Sequence, residues 1–431
     1  MNICKVWDAE YPWDVRAEKI SRALTEHGHT VHMVARNRDG RVGRETLPEA
    51  TIHRLAPLPW AGAQVSALSM FPAFFNPRWA RLIFATARDT SADVILCRDL
   101  PLAPTSVWVG RRLGIPVVLD VAENYPAMIR AIWESRRHRW SDWLVRNPAA
   151  VSLVESWTLP RVQHILAVVE ESRDRLIGMG IPTERITIVS NTPARARVAA
   201  VGARERPAPG APLHLVYLGL MEAPRGVGVL LGGVAQARQK GMNLQLSLIG
   251  SGRDLEMFKA QGRALGLDSG VARFYGQVPH EQALRLVAAA DVGVVPHYAD
   301  ESWNSTIPNK LFDYMAAGLP VLTSDARPTA RIVRKTGAGE VFRDRDETDF
   351  VRALQSLADP AGREHHGAAG RQAVLDEYHW ERDVARLTTA LEAQILDRTP
   401  GAVAGSPGIS SPAAAPAPEL VKGHVDGTAR A

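Results

Sequence analysis

The sequence predicts an α/β fold in two halves, each a parallel sheet covered by helices. Short β-branched runs alternate with longer helical stretches, the alternation stops over residues 193–212, and it restarts at residue 213. Strands separated by helices favour right-handed crossovers and therefore parallel sheets. At 431 residues, 46% of them hydrophobic, the chain is long enough to bury two cores.

The first half is predicted to span residues 1–192. Its β-branched runs indicate strands, and its runs with helical periodicity indicate helices. Gly28 is predicted to end the first helix, because glycine readily adopts the left-handed conformation common at that position. The predicted strands are 2–6, 30–35, 93–97, 116–120, 164–169 and 186–190, and the predicted helices include 15–26 and 102–113.

The second half, residues 213–376, follows a linker at residues 193–212 that is rich in Pro, Ala and Arg and lacks an apolar period. A last helix within residues 377–398 is expected to pack back on the first half. The tail, residues 399–431, is rich in Pro, Ala, Gly and Ser and is expected to be disordered. The predicted strands here are 213–218, 244–249, 271–275, 291–296 and 320–323.

The composition narrows the class of protein. No run of 18 apolar residues predicts a spanning helix, and the first residues lack the apolar stretch of a secretory signal. The two cysteines, Cys4 and Cys97, lie in apolar strands, which fits buried thiols in a reducing cytoplasm. There is no Walker motif and no Gly-x-Gly-x-x-Gly after a strand, which argues against nucleoside-triphosphatase and NAD chemistry.

Basic charge is concentrated in the first half. Residues 1–200 contain 26 Lys and Arg against 20 Asp and Glu, a net charge of +6, whereas the remainder contains 25 against 26. Nine of the eleven Trp residues also precede residue 160. A basic, Trp-rich half suits nucleic acid, an anionic membrane or a phosphorylated substrate, and composition alone does not choose among them.

The most informative segment is residues 305–321, STIPNKLFDYMAAGLPV. Pro308 suits the first turn of a helix, Ser305 or Thr306 is predicted to cap that helix, and Gly318 is predicted to end it. Free N–H groups at a helix start favour an anion, so a diphosphate is expected there.

Two polar residues share one face of this predicted helix. Asn309 and Asp313 are four residues apart, and Asp313 can accept hydrogen bonds from both hydroxyls of a ribose. A solvated pair between Lys310 and Asp313 is the alternative interpretation. The predicted donor-binding residues of the segment are Ser305, Thr306, Ile307, Asn309, Lys310 and Asp313.

Residues 313–321 resemble the second half of a motif found in the family-4 retaining glycosyltransferases, in which two glutamates stand eight positions apart and Gly-x-Pro-Val follows. The first glutamate falls at Ser305 here, although some members have a similar Pro-Asn-Lys turn. The resemblance covers about residues 1–396. It implies the GT-B fold, two Rossmann-like α/β domains facing a cleft, with a nucleotide-sugar donor on the second half, an acceptor on the first, and no other cofactor.

Three more segments resemble the donor domain of that family in the same order. Residues 217–226 resemble its first strand and loop, with Leu220 where an Arg is usual and Arg225 where a Lys is usual. A guanidinium there can clamp phosphate oxygens. A Gly-x-Gly turn follows the next strand and permits close backbone approach, and residues 274–278 resemble the end of the strand that lines the base pocket. The resemblance therefore adds Arg225, Gly250, Gly252 and Val278 to the donor site.

Two segments of the first half follow strands and are expected to reach the cleft. Asp14 is a candidate catalytic residue, with capping of the next helix as the alternative, and Arg16 is expected to contact substrate. Ala122 stands where the family often has a His, so Glu123 is the nearest candidate base. The departing phosphate is the alternative base.

Basic and aromatic residues around 130–146 suit an anionic membrane surface or a lipid-linked acceptor. The alternative is a covered helix whose Trp residues pack inward. We expect peripheral association with the inner face of the cell membrane and no nucleic-acid partner. The predicted acceptor and membrane residues are Arg16, Arg136, Arg137, Arg139, Trp133 and Trp140.

No metal site is predicted. Asp344 and Asp346 form an Asp-x-Asp pattern, but capping of the following helix is the better interpretation. The neighbouring His27, His29 and His32 belong to a helix end and a strand, and do not have the spacing of a metal site.

The prediction is therefore a retaining, metal-independent glycosyltransferase that acts on a lipid-linked or glycan acceptor in polysaccharide biosynthesis. A nucleotide-sugar epimerase or a phosphorylase on the same fold would need a further catalytic acid or a cofactor lysine, which the sequence does not place. A non-catalytic module that binds membranes or nucleic acid is the other alternative.

Overall fold

The computed structural model describes residues 1–58, 65, 69–70, 73–134, 147–200, 210–268 and 270–396. These residues form two α/β halves, and each half has its own sheet. The predicted fold of two α/β domains with parallel sheets is confirmed.

The first half contains an eight-stranded sheet in the order β3-β4-β2-β1-β5-β6-β7-β8. All neighbouring strands are parallel except β3 and β4, which are antiparallel. The strands are β1 Asn2–Val6, β2 Thr30–Ala35, β3 Arg44–Leu47, β4 Ala50–Arg54, β5 Val94–Arg98, β6 Val117–Val121, β7 His164–Ala167 and β8 Ile186–Ile188. The helices are α1 Val15–Glu26, α2 Pro77–Asp89, α3 Ala103–Leu113, α4 Tyr125–Glu134, α5 Pro148–Thr158, α6 Glu170–Gly178 and α7 Arg195–Ala200.

The second half contains a six-stranded parallel sheet in the order β11-β10-β9-β12-β13-β14. Its strands are β9 Leu213–Leu218, β10 Leu244–Ile249, β11 Ala272–Gly276, β12 Val292–Val295, β13 Val321–Ser324 and β14 Gly339–Phe342. The helices that follow α7 are α8 Val227–Gln239, α9 Leu255–Ala264, α10 His280–Ala288, α11 Asn309–Ala316, α12 Arg327–Thr336, α13 Glu347–Ser356, α14 Pro360–Asp376 and α15 Trp380–Leu396.

Burial accounts for the runs of apolar residues in the central strands. All five residues of β5 and of β6 are buried, as expected for parallel strands covered on both faces. This is why these strands read as continuous apolar runs rather than as alternating ones.

The last helix returns to the first half. Leu387 and Leu391 of α15 lie in one apolar cluster with Ile3 of β1 and Leu24 of α1. The chain therefore passes between the halves twice, once after β8 and once between α14 and α15.

Strands β3, β4 and β14 were not predicted, and neither was the helix within the linker. Strands β3 and β14 are four residues long, and β3 alternates between exposed and half-buried residues, so neither gives a strong apolar run. The predicted linker, residues 193–212, contains α7, in which Val198 is fully buried against the second half. A helix of six residues is too short for an apolar period to show in the sequence.

Some predictions concern residues that the structure does not describe. The tail at 399–431 and linker residues 201–209 are among them, as are the predicted membrane residues Arg136, Arg137, Arg139 and Trp140. Within the described part of the chain, no helix is long and apolar enough to cross a membrane.

Candidate active site

A cavity of about 850 Å³ lies between the two halves. Its walls include the segments that follow β1, β5 and β6 in the first half and β9 in the second, together with the start of α11. The carboxyl ends of parallel strands are where open α/β sheets bind ligands. The walls contain these predicted residues: Asp14, Arg16, Glu123, Arg225, Thr306, Ile307, Asn309, Lys310 and Asp313.

Helix α11 forms the floor of the cavity on the side of the second half. Asn309 and Asp313 line the cavity one turn apart, whereas Leu311, Phe312 and Met315 are buried in the core. The apolar face and the polar face predicted for this helix are therefore the ones that the structure shows.

The predicted cap of this helix is wrong. Helix α11 begins at Asn309, Pro308 occupies the capping position, and no side chain caps the helix. Because the backbone of Pro308 is extended here, the helix starts after it, and Ser305 and Thr306 lie before the capping position.

The two predicted capping residues instead contact the first half. The Ser305 hydroxyl donates to the carbonyl of Glu301 at 2.8 Å and accepts from Nδ2 of Asn124 at 3.1 Å. The Thr306 hydroxyl donates to the carbonyl of Ala122 at 3.0 Å. Ser305 is therefore committed to contacts between the halves, and it does not line the cavity.

Arg225 supplies a positive charge to the cavity from the loop after β9. Its guanidinium centre lies 5.2 Å from the ring centroid of Trp303, and its Nε lies 3.6 Å from a carboxylate oxygen of Glu222. The Nε is buried and donates no hydrogen bond within the described residues. Arg225 therefore retains donor capacity on the cavity side.

The two glycines predicted to bind the donor lie at a close contact between two loops. A Cβ at Gly250 would lie 2.0 Å from the carbonyl oxygen of Gly219, and one at Gly252 would lie 2.4 Å from that of Met221. These glycines let two loops pack on each other, and neither lines the cavity. Val278 is also absent from the cavity walls, because it packs beside the apolar core of the second half.

Asp14 caps α1 at the entrance to the cavity. One carboxylate oxygen accepts from the N–H of Ala17 at 2.8 Å, and the carboxylate also forms an ion pair with Arg98. Both oxygens are therefore engaged, which is the capping alternative considered from the sequence. Arg98 itself lines the cavity and lies 5.2 Å from the ring centroid of Trp7.

Arg16 is not a surface residue. It is 3% exposed and forms an ion pair with the buried Asp120, with Nη2 at 2.6 Å from Oδ1. The membrane part of the prediction for Arg16 is therefore wrong, because its side chain turns inward from α1, whereas contact of Arg16 with an acceptor stays a prediction. Its Nη1 has no hydrogen-bond partner in the described part of the chain, and the residue lines the cavity.

Glu123 follows β6 and faces the cleft. Its side chain is exposed to the solvent of the cleft, yet the surrounding protein removes enough hydration to raise the pKa of Glu123. Arg98 and Arg225 act in the opposite direction and do not cancel this effect. The turn that holds Glu123 is fixed by Asp99, whose carboxylate accepts from the N–H of Ala122 at 3.0 Å.

Two other expectations concern residues away from the cavity. Trp133 is half-buried near the end of α4 and does not line the cavity. Asp346 caps α13 by accepting from the N–H of Asp349 at 2.8 Å, as predicted. Within the described residues, no three His, Cys, Asp or Glu side chains lie together as a metal site would require.

Several residues that line the cavity were not predicted from the sequence. Arg98 is the last residue of the apolar strand β5 and forms an ion pair with Asp14, so its place at the carboxyl end of a strand was the available signal. Trp303 has no such signal, because it lies in an irregular segment whose path depends on the tertiary structure. The first half also contributes apolar side chains to the cavity: Trp13, Val15, Met128, Ala131 and Ile132.

Comparison with known proteins agrees with this geometry. Residues 14–192 match the family model described as a glycosyl transferase 4-like domain, and residues 212–359 match the model described as glycosyl transferases group 1. Together these two matches extend over both halves of the chain, and both models describe glycosyltransferases. The chain belongs to family 4 of the glycosyltransferases, and the resemblance seen in its sequence is confirmed.

Individual relatives are distant. The chain is 24% identical to glycogen synthase of Mycobacterium tuberculosis, over 69% of this chain and 67% of that protein. It is 26% identical to the phosphatidyl-myo-inositol mannosyltransferase of Mycobacterium leprae, over 78% of this chain and 81% of that protein.

Solved structures share the fold. Sucrose-phosphate synthase from Thermosynechococcus elongatus superposes with a TM-score of 0.70 at 18% identity, over 92% of this chain and all of that one. Anabaena Alr3699/HepE in complex with UDP superposes with a TM-score of 0.64 at 12% identity, over 91% of this chain and all of that one. At these identities the likeness concerns the fold.

Proposed function

We propose that this glycosyltransferase transfers a sugar from a nucleoside-diphosphate donor to a lipid-linked or glycan acceptor, with retention and without a metal ion. The observation behind the proposal is the cavity wall of the second half, where Arg225 and Lys310 face the same space as Asp313. Two cations suit a diphosphate, and a carboxylate one helical turn away suits the hydroxyls of a ribose.

The reaction needs few groups from the protein. The bond between the anomeric carbon and the phosphate oxygen breaks, and its electron pair goes to that oxygen. Fixed positive charges stabilise the developing negative charge without reorganising during the reaction. The acceptor hydroxyl then bonds to the anomeric carbon, and we assign its proton to Glu123. Asp14 acts as a positioning residue that holds Arg98 toward the cleft.

The acceptor side of the cavity supports an acceptor with an apolar part. Trp13 is 76% exposed and Val15 is 60% exposed, and both line the cavity with Met128 and Ile132. Exposed apolar side chains that border a cavity indicate a ligand with apolar surface. A relative that is a phosphatidyl-myo-inositol mannosyltransferase points in the same direction.

Retention and peripheral membrane binding are proposed from the family resemblance and from the basic first half. Because a structural neighbour was solved in complex with UDP, uracil is the first base to test. An epimerase or a phosphorylase is not favoured, because the family models that match the two halves both describe glycosyl transferases.

Nucleotide binding tests the proposal. A thermal-shift series with UDP, GDP, ADP and their sugars should identify one nucleotide, since a ligand at 100 times its dissociation constant adds about 2.7 kcal/mol of stability. Excess EDTA should leave this shift and turnover unchanged. A series without any shift, or activity that depends on added Mn²⁺ or Mg²⁺, would contradict the proposal.

The role of Asp313 is tested with that nucleotide. Asp313→Asn should weaken its binding by about 1–3 kcal/mol, the usual cost of losing a hydrogen bond to a charged group. Asp174→Asn is the matched control, because Asp174 is exposed and pairs only with its neighbour Arg173 in the contacts seen. Equal calorimetric affinities of wild type and Asp313→Asn would remove Asp313 from the donor site.

A further inference from the structure

Lys310, the second residue of α11, is placed unusually for a lysine. It is 6% exposed, yet it lines the cavity. Its Nζ lies 3.9 Å from the ring centroid of Tyr217 and has no hydrogen-bond partner in the described part of the chain. Gly219 allows this position, because a Cβ there would lie 2.6 Å from Nζ. A buried amine without a partner is costly, and such groups usually indicate a missing ligand.

The charges around Lys310 do not neutralise it. Arg225 approaches from the loop after β9 and disfavours a second positive charge. Asp313, one turn along α11, favours the charge, and the remaining facing groups are the rings of Tyr217 and His297. The cavity wall therefore holds two basic side chains and too little negative charge close to the amine.

We propose that Lys310 binds the diphosphate of the donor directly and takes up a proton when the donor arrives. This inference rests on the proposed function, because it names the charge state of the same donor site. In the free protein burial and the charge of Arg225 favour the neutral amine, and the two negative phosphates of the donor supply the counter-charge that favours the ammonium. Three N–H donors then satisfy phosphate oxygens beside Arg225.

The electrostatics give the direction of the effect. Burial, with Arg225 in addition, lowers the pKa of Lys310 well below its usual value of 10.5. A bound anion raises that pKa again, so proton uptake occurs at pH values between the two. Donor affinity should fall as the pH rises through this interval, because protonating the amine then becomes a cost of binding.

Calorimetry in buffers of different ionisation enthalpy tests the proposal. The probe is whichever of UDP, GDP and ADP gives the largest thermal shift, titrated at about pH 8 in HEPES and in Tris, where the nucleotide is already fully ionised. The wild type should take up a measurable fraction of a proton. Lys310→Met should abolish the uptake and weaken binding by about 10- to 100-fold.

Two further variants separate charge from packing. Lys310→Arg keeps a permanent charge, so it should bind without proton uptake. Lys259→Met is the matched control, because Lys259 lies on α9 and pairs with Glu256. If the wild type binds nucleotide without proton uptake, or if proton uptake persists in Lys310→Met, the proposed role of Lys310 is overturned and the proposed function still stands. If none of the three nucleotides binds, both the proposed function and the role of Lys310 fail.

Discussion

Asn124 donates a hydrogen bond from Nδ2 to the hydroxyl of Ser305 at 3.1 Å, and this bond joins the two halves of the chain. Asn124 is 2% exposed and Ser305 is 6% exposed. The adjacent bond from Thr306 to the carbonyl of Ala122 makes the contact a double one. The two bonds lie on either side of Glu123 in sequence, so the contact between the halves also places the candidate base.

The Asn124–Ser305 pair should therefore be energetically coupled. Asn124→Ala and Ser305→Ala should each destabilise the protein, because each leaves a buried polar partner unsatisfied. Urea unfolding of both single variants and of the double variant should give a coupling free energy of about 1 kcal/mol. Asn124→Ala combined with Ser356→Ala, at an exposed position, should be additive. Additive effects at the first pair would show that the bond is absent in solution.

The sequence predicted the sheets better than it predicted the contacts between them. Strands β1, β2, β9 and β10 have the predicted bounds, because buried parallel strands are long apolar runs that a pattern can detect. Asp313 and Asn309 were also found, since a helical period and a motif both pointed to them.

Two residues of the predicted site have contacts that the sequence did not indicate. Ser305 was expected to bind the donor and Arg16 an acceptor or a membrane, and both form buried contacts across the fold. The partners are Asn124, 181 residues away, and Asp120, 104 residues away. No local pattern reports a partner at such a distance, so these roles become visible only when the sheets are in place.

Gly250 should be intolerant of a side chain. Its φ is +133°, and a Cβ would lie 2.0 Å from the carbonyl oxygen of Gly219. Gly250→Ala should destabilise the second half by about 1–3 kcal/mol, which is the usual cost of such strain. Urea or thermal unfolding measures the change.

The control for this variant is Gly178→Ala. Gly178 ends α6, and nothing lies within 4 Å of the position its Cβ would take. Alanine should be neutral there or slightly stabilising, by up to about 1 kcal/mol, because it loses less backbone freedom on folding. Equal stabilities of the two variants would show that the loops after β9 and β10 do not pack as described.

The basic first half should bind anionic membranes. Wild-type protein should float with vesicles of phosphatidylcholine and phosphatidylglycerol at low salt, and not with phosphatidylcholine alone. Replacing Arg136, Arg137 and Arg139 by Ser should weaken binding by roughly 100-fold, at about 1 kcal/mol per Arg. Nucleotide binding should be unaffected.

The control for the membrane experiment replaces three exposed arginines of the second half by Ser: Arg263, Arg285 and Arg334. This variant loses the same charge and should still float. If the wild type does not float with anionic vesicles at low salt, the membrane proposal is wrong and a soluble acceptor is favoured. Equal losses in both triple variants would instead indicate a non-specific effect of net charge.

Glu123→Gln should distinguish the two candidate bases. If Glu123 accepts the acceptor proton, the variant should lose about 10²–10⁴-fold in kcat, the usual contribution of a positioned base, while nucleotide affinity stays the same. Glu184→Gln, at an exposed position far along the chain, is the matched control and should keep full activity.

The pH profile gives an independent measurement of the same role. A base must be ionised, so activity should fall as the pH decreases through the pKa of Glu123. Because loss of hydration raises that pKa, the acid limb should lie above the usual value for a glutamate. The limb should disappear in Glu123→Gln, which has no group to titrate. A variant with wild-type kcat and an unchanged acid limb would assign the proton to the departing phosphate, and Glu123 would then only shape the cleft.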